Sequence, residues 1–83
     1  MNIKIRKSDL KRFGAKIRER RTALDMTLEE LAEMVNRSDR EIRDIELGKV
    51  EPKLQTALLL CVACQVDIGE LKEFVTQEES SYA

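Results

Sequence analysis

Two groups of residues in this sequence have the types and spacing to do chemistry. One is Cys61 and Cys64 in "CVAC"; the other is the charged run "NRSDREIRDIELGK" at positions 36–49. Two cysteines three apart share a helix face and could hold half of a zinc site or form a redox pair. The chain has no His and offers no second ligand pair. Both cysteines also fall near a helix C-terminus, where the dipole opposes a thiolate. They are read as small buried apolar residues. With no glycine-rich phosphate loop, and with every carboxylate pair at helical spacing read as a solvated face, no enzyme is expected, and no cofactor or metal.

The charged run is the stronger candidate. Arg37, Arg40, Arg43 and Lys49 are donors suited to phosphates and base edges, but Asp39, Glu41, Asp44 and Glu46 cancel them in the count. At about 100° per residue, Ile42 and Ile45 define an inward face, with Arg40, Arg43, Asp44 and Leu47 opposite. Glu46 lies near the buried edge. Ser38 and Glu41 have the spacing of a reciprocal N-cap, which gives Glu41 structural work. Asp39 suits the helix dipole, worth roughly 0.3 to 1 kcal/mol, and could accept a hydrogen bond from a cytosine amino group. Such a helix can read bases, yet it cannot supply the electrostatic affinity.

That affinity has a source elsewhere in the chain. The net charge of −1 hides a basic front: residues 1–22 carry nine Lys or Arg against Asp9 and Glu19, and residues 23–83 carry six against fourteen acids. Lys4, Arg6, Lys7, Lys11 and Arg12 are therefore the expected phosphate contacts, as an arm and a first helical turn flanking a groove.

The elements that must position these residues are helical. Eighty-three residues make one small module without room for a cleft between domains. High charge and few aromatics suit an all-α domain. No apolar run reaches the ~18 to 20 residues of a membrane span, and "MNIKIRKSDL" lacks a signal peptide's apolar stretch, so a cytoplasmic location is expected. Leu10, Phe13, Ile17 and Leu24 stand at helical spacing, which predicts a first helix over about 9–24 with Ser8 or Asp9 as its cap. Thr27 and Glu30 cap a second helix that buries Leu31, Ala32 and Val35. After Asn36 and Arg37, Ser38 opens the third, which Gly48 closes. Two short helices joined so briefly must cross steeply, as a helix-turn-helix. Pro52 precedes a fourth helix, "KLQTALLLCVACQV", and Asp67 with Glu70 caps a fifth through Ile68, Leu71, Phe74 and Val75. The expected division is a basic arm at 1–8, the helix-turn-helix domain at 9–76 and a fraying polar tail at 77–83.

Several stretches together resemble the phage repressor and Cro-like (Xre-like) helix-turn-helix family: "IRERR" in the first helix, "TLEELAE" in the second, "S-x-x-x-I-x-x-I-E-x-G-K" across the third, Pro52 after it and "VDIGEL" opening the fifth. The resemblance covers about residues 10–75. It implies a five-helix repressor-like domain that binds double-stranded DNA as a transcriptional regulator, with the third helix in the major groove, usually as a homodimer on a two-fold operator. It also implies that Arg21 pairs with Glu46. The DNA-binding set is then Arg37, Ser38, Asp39, Arg40, Arg43, Asp44 and Lys49, with Lys4, Arg6 and Lys7 from the arm. The chain departs from the family in having Leu28 where a DNA-gripping Gln is frequent, Asn36 for the turn glycine and Arg37 for a small apolar residue. The neutral third helix leaves an alternative, a protein-binding module on the same fold such as an antitoxin, antirepressor or adaptor. Leu59 and Val62 stand where the family usually has polar residues and cannot share a core with Leu58 and Cys61. They, or Phe74 and Val75, are the expected dimer or partner interface.

Overall fold

The computed structural model describes residues 2–78. Strand β1 (Asn2–Ile5) leads through a 3-10 turn (Lys7–Asp9) into α1 (Leu10–Ala23), α2 (Leu28–Met34), α3 (Asp39–Glu46), α4 (Leu54–Ala63), α5 (Ile68–Leu71) and β2 (Val75–Glu78). The five helices form the all-α body. Local chemistry sets their boundaries. At α2 the Thr27 N–H donates to Glu30 Oε1 at 2.8 Å and the Glu30 N–H donates to Thr27 Oγ1 at 3.0 Å, closing a complete capping box. Asp67 caps α5 by accepting from the Gly69 N–H, one residue earlier than its spacing to Glu70 suggests. Glu70 instead faces Lys16 across the α1–α5 groove, 3.7 Å away.

Four helices stop in the same way. The N–H of Met26, Arg37, Lys49 and Val66 each reaches back five residues, to the carbonyl of Arg21, Ala32, Asp44 and Cys61, the Schellman arrangement. It requires a left-handed residue, and those are Asp25, Asn36, Gly48 and Gln65. The turn between α2 and α3 thus keeps its geometry with Asn36 in place of glycine.

The core gathers Phe13 and Ile17 of α1, Leu31 and Ala32 of α2, Ile42 and Ile45 of α3, Ala57, Leu60 and Cys61 of α4, and Leu71 of α5. Helices α1 and α3 come closest. A Cβ added at Gly14 would fall onto the Ile45 carbonyl oxygen and within 2.7 Å of the Glu46 carbonyl carbon, so the two backbones touch there. Two turns along α1, Arg21 forms a fork on Glu46, Nε to Oε2 at 2.7 Å and Nη2 to Oε1 at 3.0 Å, and donates to the Met26 carbonyl at 2.9 Å. The side chains are 13% and 5% exposed. The carboxylate's hydrogen bond holds the Arg21 guanidinium above its ordinary pKa despite burial.

The ends of the domain differ from the sequence expectation. A basic arm was expected at 1–8, a fifth helix through Phe74 and Val75, and a tail from 77. Instead α5 stops at Leu71, and residues 2–5 pair antiparallel with 75–78, Ile5 opposite Val75 and Asn2 opposite Glu78. Met1 and residues 79–83 of the expected arm and tail lie outside the described residues. The physical reason is a partner distant in sequence: each short strand has no backbone partners until the other lies beside it. Burial of Ile5 against the core fixes the register.

Asp9 locks this ribbon to α1. Expected as a helix cap, it makes no side-chain cap bond. It is buried and accepts from Arg6 Nε at 2.6 Å and Arg12 Nη1 at 2.7 Å. Arg6 then donates to the carbonyls of Val75 and Glu73, its backbone N–H donates to Phe74 O at 2.8 Å, and Arg12 lies 5.0 Å over the Phe74 ring. Phe74 in turn meets Phe13 edge-on at 5.8 Å.

Two outcomes follow from these contacts. Removing one member of the buried pair, by Arg21→Ala or Glu46→Ala, strands a charge and should lower the unfolding free energy in urea by about 3 to 5 kcal/mol, with the double variant losing less than the sum. Asp9 is held below its ordinary 3.8, first by the Arg6 hydrogen bond, with Arg12 adding to it against the opposing effect of burial. A carboxyl lowered in the folded state stabilises above its unfolded value and loses that contribution as pH falls through the folded one. Thermal melts should therefore show stability falling below about pH 4, and Asp9→Asn should flatten that fall while lowering stability at neutral pH.

Candidate nucleic-acid interface

The surface presented by α3 follows from how it is seated. Ile42 and Ile45 are fully buried and Glu46 is held by Arg21. Asp39, Arg40, Arg43 and Leu47 are consequently exposed, and Asp44 is half-buried. Ser38 accepts from the Glu41 N–H at 3.1 Å, but the expected reciprocal bond is replaced. The Glu41 carboxylate lies 3.7 Å from Arg37 Nε, on the flank of α3 away from α1. Arg37 also donates to Thr56 Oγ1 of α4 at 3.3 Å. This draws Arg37 along the protein surface as a brace between α3 and α4, rather than out with Arg40 and Arg43. Lys49 follows the helix, exposed, its N–H bonded to the Asp44 carbonyl.

The N-terminal cations divide. Lys4, Lys7 and Lys11 are exposed, and Lys11 packs its backbone against Gly48, so a Cβ there would lie 2.8 Å from Lys11 Cα. Arg6 and Arg12 are spent on Asp9, the Glu73 and Val75 carbonyls and the Phe74 ring. Expected as a phosphate contact, Arg6 is a structural clamp. The reason is Asp9, whose buried carboxylate needs compensating charge.

One exposed cation beside α3 escaped the sequence reading. Arg18 of α1 lines a groove with Arg21, Leu28, Arg43, Glu46 and Leu47. It stands one turn beyond Gly14 and three residues before Arg21, on the flank of α1 that meets α3. Gly14 was the available clue, since a glycine inside a helix often marks a close approach.

Elsewhere, α4 exposes Leu59 by 39% and Val62 by 69%. Phe74 and Val75, expected as the alternative interface, do not form an exposed surface. Phe74 is buried at 6% and Val75 is partly buried against the core. The backbone turn after Leu71 puts Phe74 beneath Arg12 and Val75 into the ribbon instead of on a continuing helix. Cys61 and Cys64 are buried, unpaired thiols pushed up to about 11, chiefly by burial. Among the described residues, no group of three or more His, Cys, Asp or Glu is placed to hold a metal, and no helix is long and apolar enough to cross a membrane.

Known proteins share this arrangement. The clp gene regulator ClgR from Corynebacterium glutamicum superposes with a TM-score of 0.70 at 25% identity, over 76% of this chain and 67% of ClgR. The restriction-modification controller protein C.AhdI from Aeromonas hydrophila superposes with a TM-score of 0.70 at 31% identity, over 77% of this chain and 97% of C.AhdI. No curated protein is significantly similar in sequence. The helix-turn-helix family model matches residues 17–71, from the middle of α1 to the end of α5, the span that holds Arg18, the Arg21–Glu46 pair and the whole reading surface. The chain belongs to the phage repressor and Cro-like (Xre-like) helix-turn-helix family of DNA-binding proteins.

Proposed function

We propose that the protein is a sequence-specific regulator of transcription that binds double-stranded DNA as a homodimer, with α3 in the major groove of each half-site. One observation carries the reading: α3 is pinned along Ile42, Ile45 and Glu46, so its opposite face offers Arg40, Arg43 and Leu47 from a rigid support. Arg40 is the donor suited to guanine, Asp39 and Asp44 are acceptors beside it, and Ser38 caps the helix at the groove. Lys49, Lys4 and Lys7 are assigned to the backbone. Relatives of the same fold that regulate genes or control restriction-modification support this reading. A regulator of this kind acts in the compartment of the genome, where thiols stay reduced, which suits Cys61 and Cys64 as unpaired residues.

The homodimer rests on α4. Leu59 and Val62 stand three apart on one exposed face, and covering that apolar surface with a second copy removes it from water.

Selection from a randomised duplex pool followed by a mobility assay tests DNA reading directly. Arg40→Ala should weaken binding to the selected site by about 1 to 3 kcal/mol and relax preference at one base pair. Absence of salt-sensitive binding to any duplex would replace this function with a protein-binding one. For the dimer, sedimentation at high micromolar concentration should give twice the chain mass, and Val62→Glu should give a folded monomer that binds a two-half-site duplex far more weakly than wild type. A wild-type monomer under those conditions rules out the α4 interface.

A further inference from the structure

The groove between α1 and α3 has the character of an anion seat. Its floor is the Arg21–Glu46 pair, which is electrically neutral. Its rims are Arg18 from α1 and Arg43 from α3, its apolar walls Leu28 and Leu47. Both rim arginines are exposed, and neither guanidinium has a charged or hydrogen-bonding partner among the described residues. That sets them apart from Arg6 and Arg12, consumed at Asp9, and from Arg37, drawn to Glu41 and Thr56. Two unneutralised cations line one groove, and an anion lying in it would be attracted to both. Glu46, the acid nearest the seat, does not oppose it because Arg21 covers its carboxylate.

Position decides which anion fits. Arg43 and Glu46 are three apart and neighbours on α3, so the groove opens along the flank of the reading face nearest α1. An object lying beside α3 when Arg40 enters a major groove is the sugar-phosphate backbone bordering that groove. Leu28, which occupies the place of a frequent DNA-gripping Gln, forms a wall instead of a donor. We propose that this groove seats one backbone phosphate of bound DNA between Arg18 and Arg43, and that Arg18 supplies from α1 the grip that Leu28 cannot. The proposal rests on the DNA-binding reading above and adds a residue and a site to it. Held from two helices, the phosphate fixes how deeply and at what tilt α3 enters, a sequence-independent positioning role.

The test is fluorescence anisotropy of a labelled random-sequence duplex, titrated with the full chain across about 50 to 200 mM salt. Arg18→Ala should lower the slope of log affinity against log salt by about 0.9, the value for one lost phosphate contact, with an unchanged melting temperature because the side chain is exposed. Arg18→Lys, which keeps the charge, should retain the slope, and Lys72→Ala, which removes an exposed cation outside the interface, should leave it unchanged. A folded Arg18→Ala protein with the wild-type slope overturns the phosphate seat while DNA binding stands. Absence of salt-dependent binding by the wild-type chain overturns the DNA-binding reading and the seat together.

Discussion

Backbone contact between α1 and α3 at Gly14 is the constraint on which the remaining geometry depends. With no side chain between them, the Ile45 and Glu46 carbonyls sit against α1, and that proximity brings Glu46 within reach of Arg21. A buried carboxylate without a partner is expensive, so the close approach and the arginine fork require each other. Together they fix the rotation of α3 about its own axis. Rotation decides everything functional here, because a turn of one residue position, about 100°, would replace Arg40 and Arg43 on the outer face with other side chains.

Electrostatics in this protein are decided by which charges are already engaged. A count along the sequence gives the N-terminal third a surplus of cations, yet the two most elaborate ion networks, at Asp9 and at Glu46, draw Arg6, Arg12 and Arg21 into structural roles. Arg18, Arg40, Arg43 and Lys49, exposed on or beside α3, stay outside both networks. Net charge along a chain therefore says little about a binding face until the internal pairs have been subtracted.

The helices were legible because their determinants are local. Thr27 and Glu30, Ser38, Asn36, Gly48 and Asp67 announce their roles within a few positions, and Ile42 with Ile45 fixes the inner face of α3 by periodicity alone. The Arg21–Glu46 pair spans 25 positions, and only family resemblance pointed to it. What the sequence hid were partners remote along the chain and unmarked by any pattern: strand pairing of residues 2–5 with 75–78, the use of Asp9 as a receptor for two arginines, and the burial of Phe74 beneath Arg12. Each looks locally like something else: a basic arm, a helix cap, a helix face. Arg18 was hidden differently, by being one arginine among several until the groove beside Gly14 singled it out.

The ribbon has a kinetic meaning as well as an architectural one. The caps and turns that bound α2, α3 and α5 are made by contacts a few residues apart, but Arg6 reaches Val75 across 69 positions. Closing a loop of that length costs chain entropy that the contacts formed on closing must offset. The same strand pairing gives a mostly helical protein its longest-range contacts and raises its contact order, a property that slows folding. The landing point for the C-terminal end is α1, where Phe13 meets Phe74 edge-on at 5.8 Å and Arg12 lies over the same ring. The ribbon thus ties the two ends of the chain to α1, apart from the α2–α3 pair that forms the helix-turn-helix.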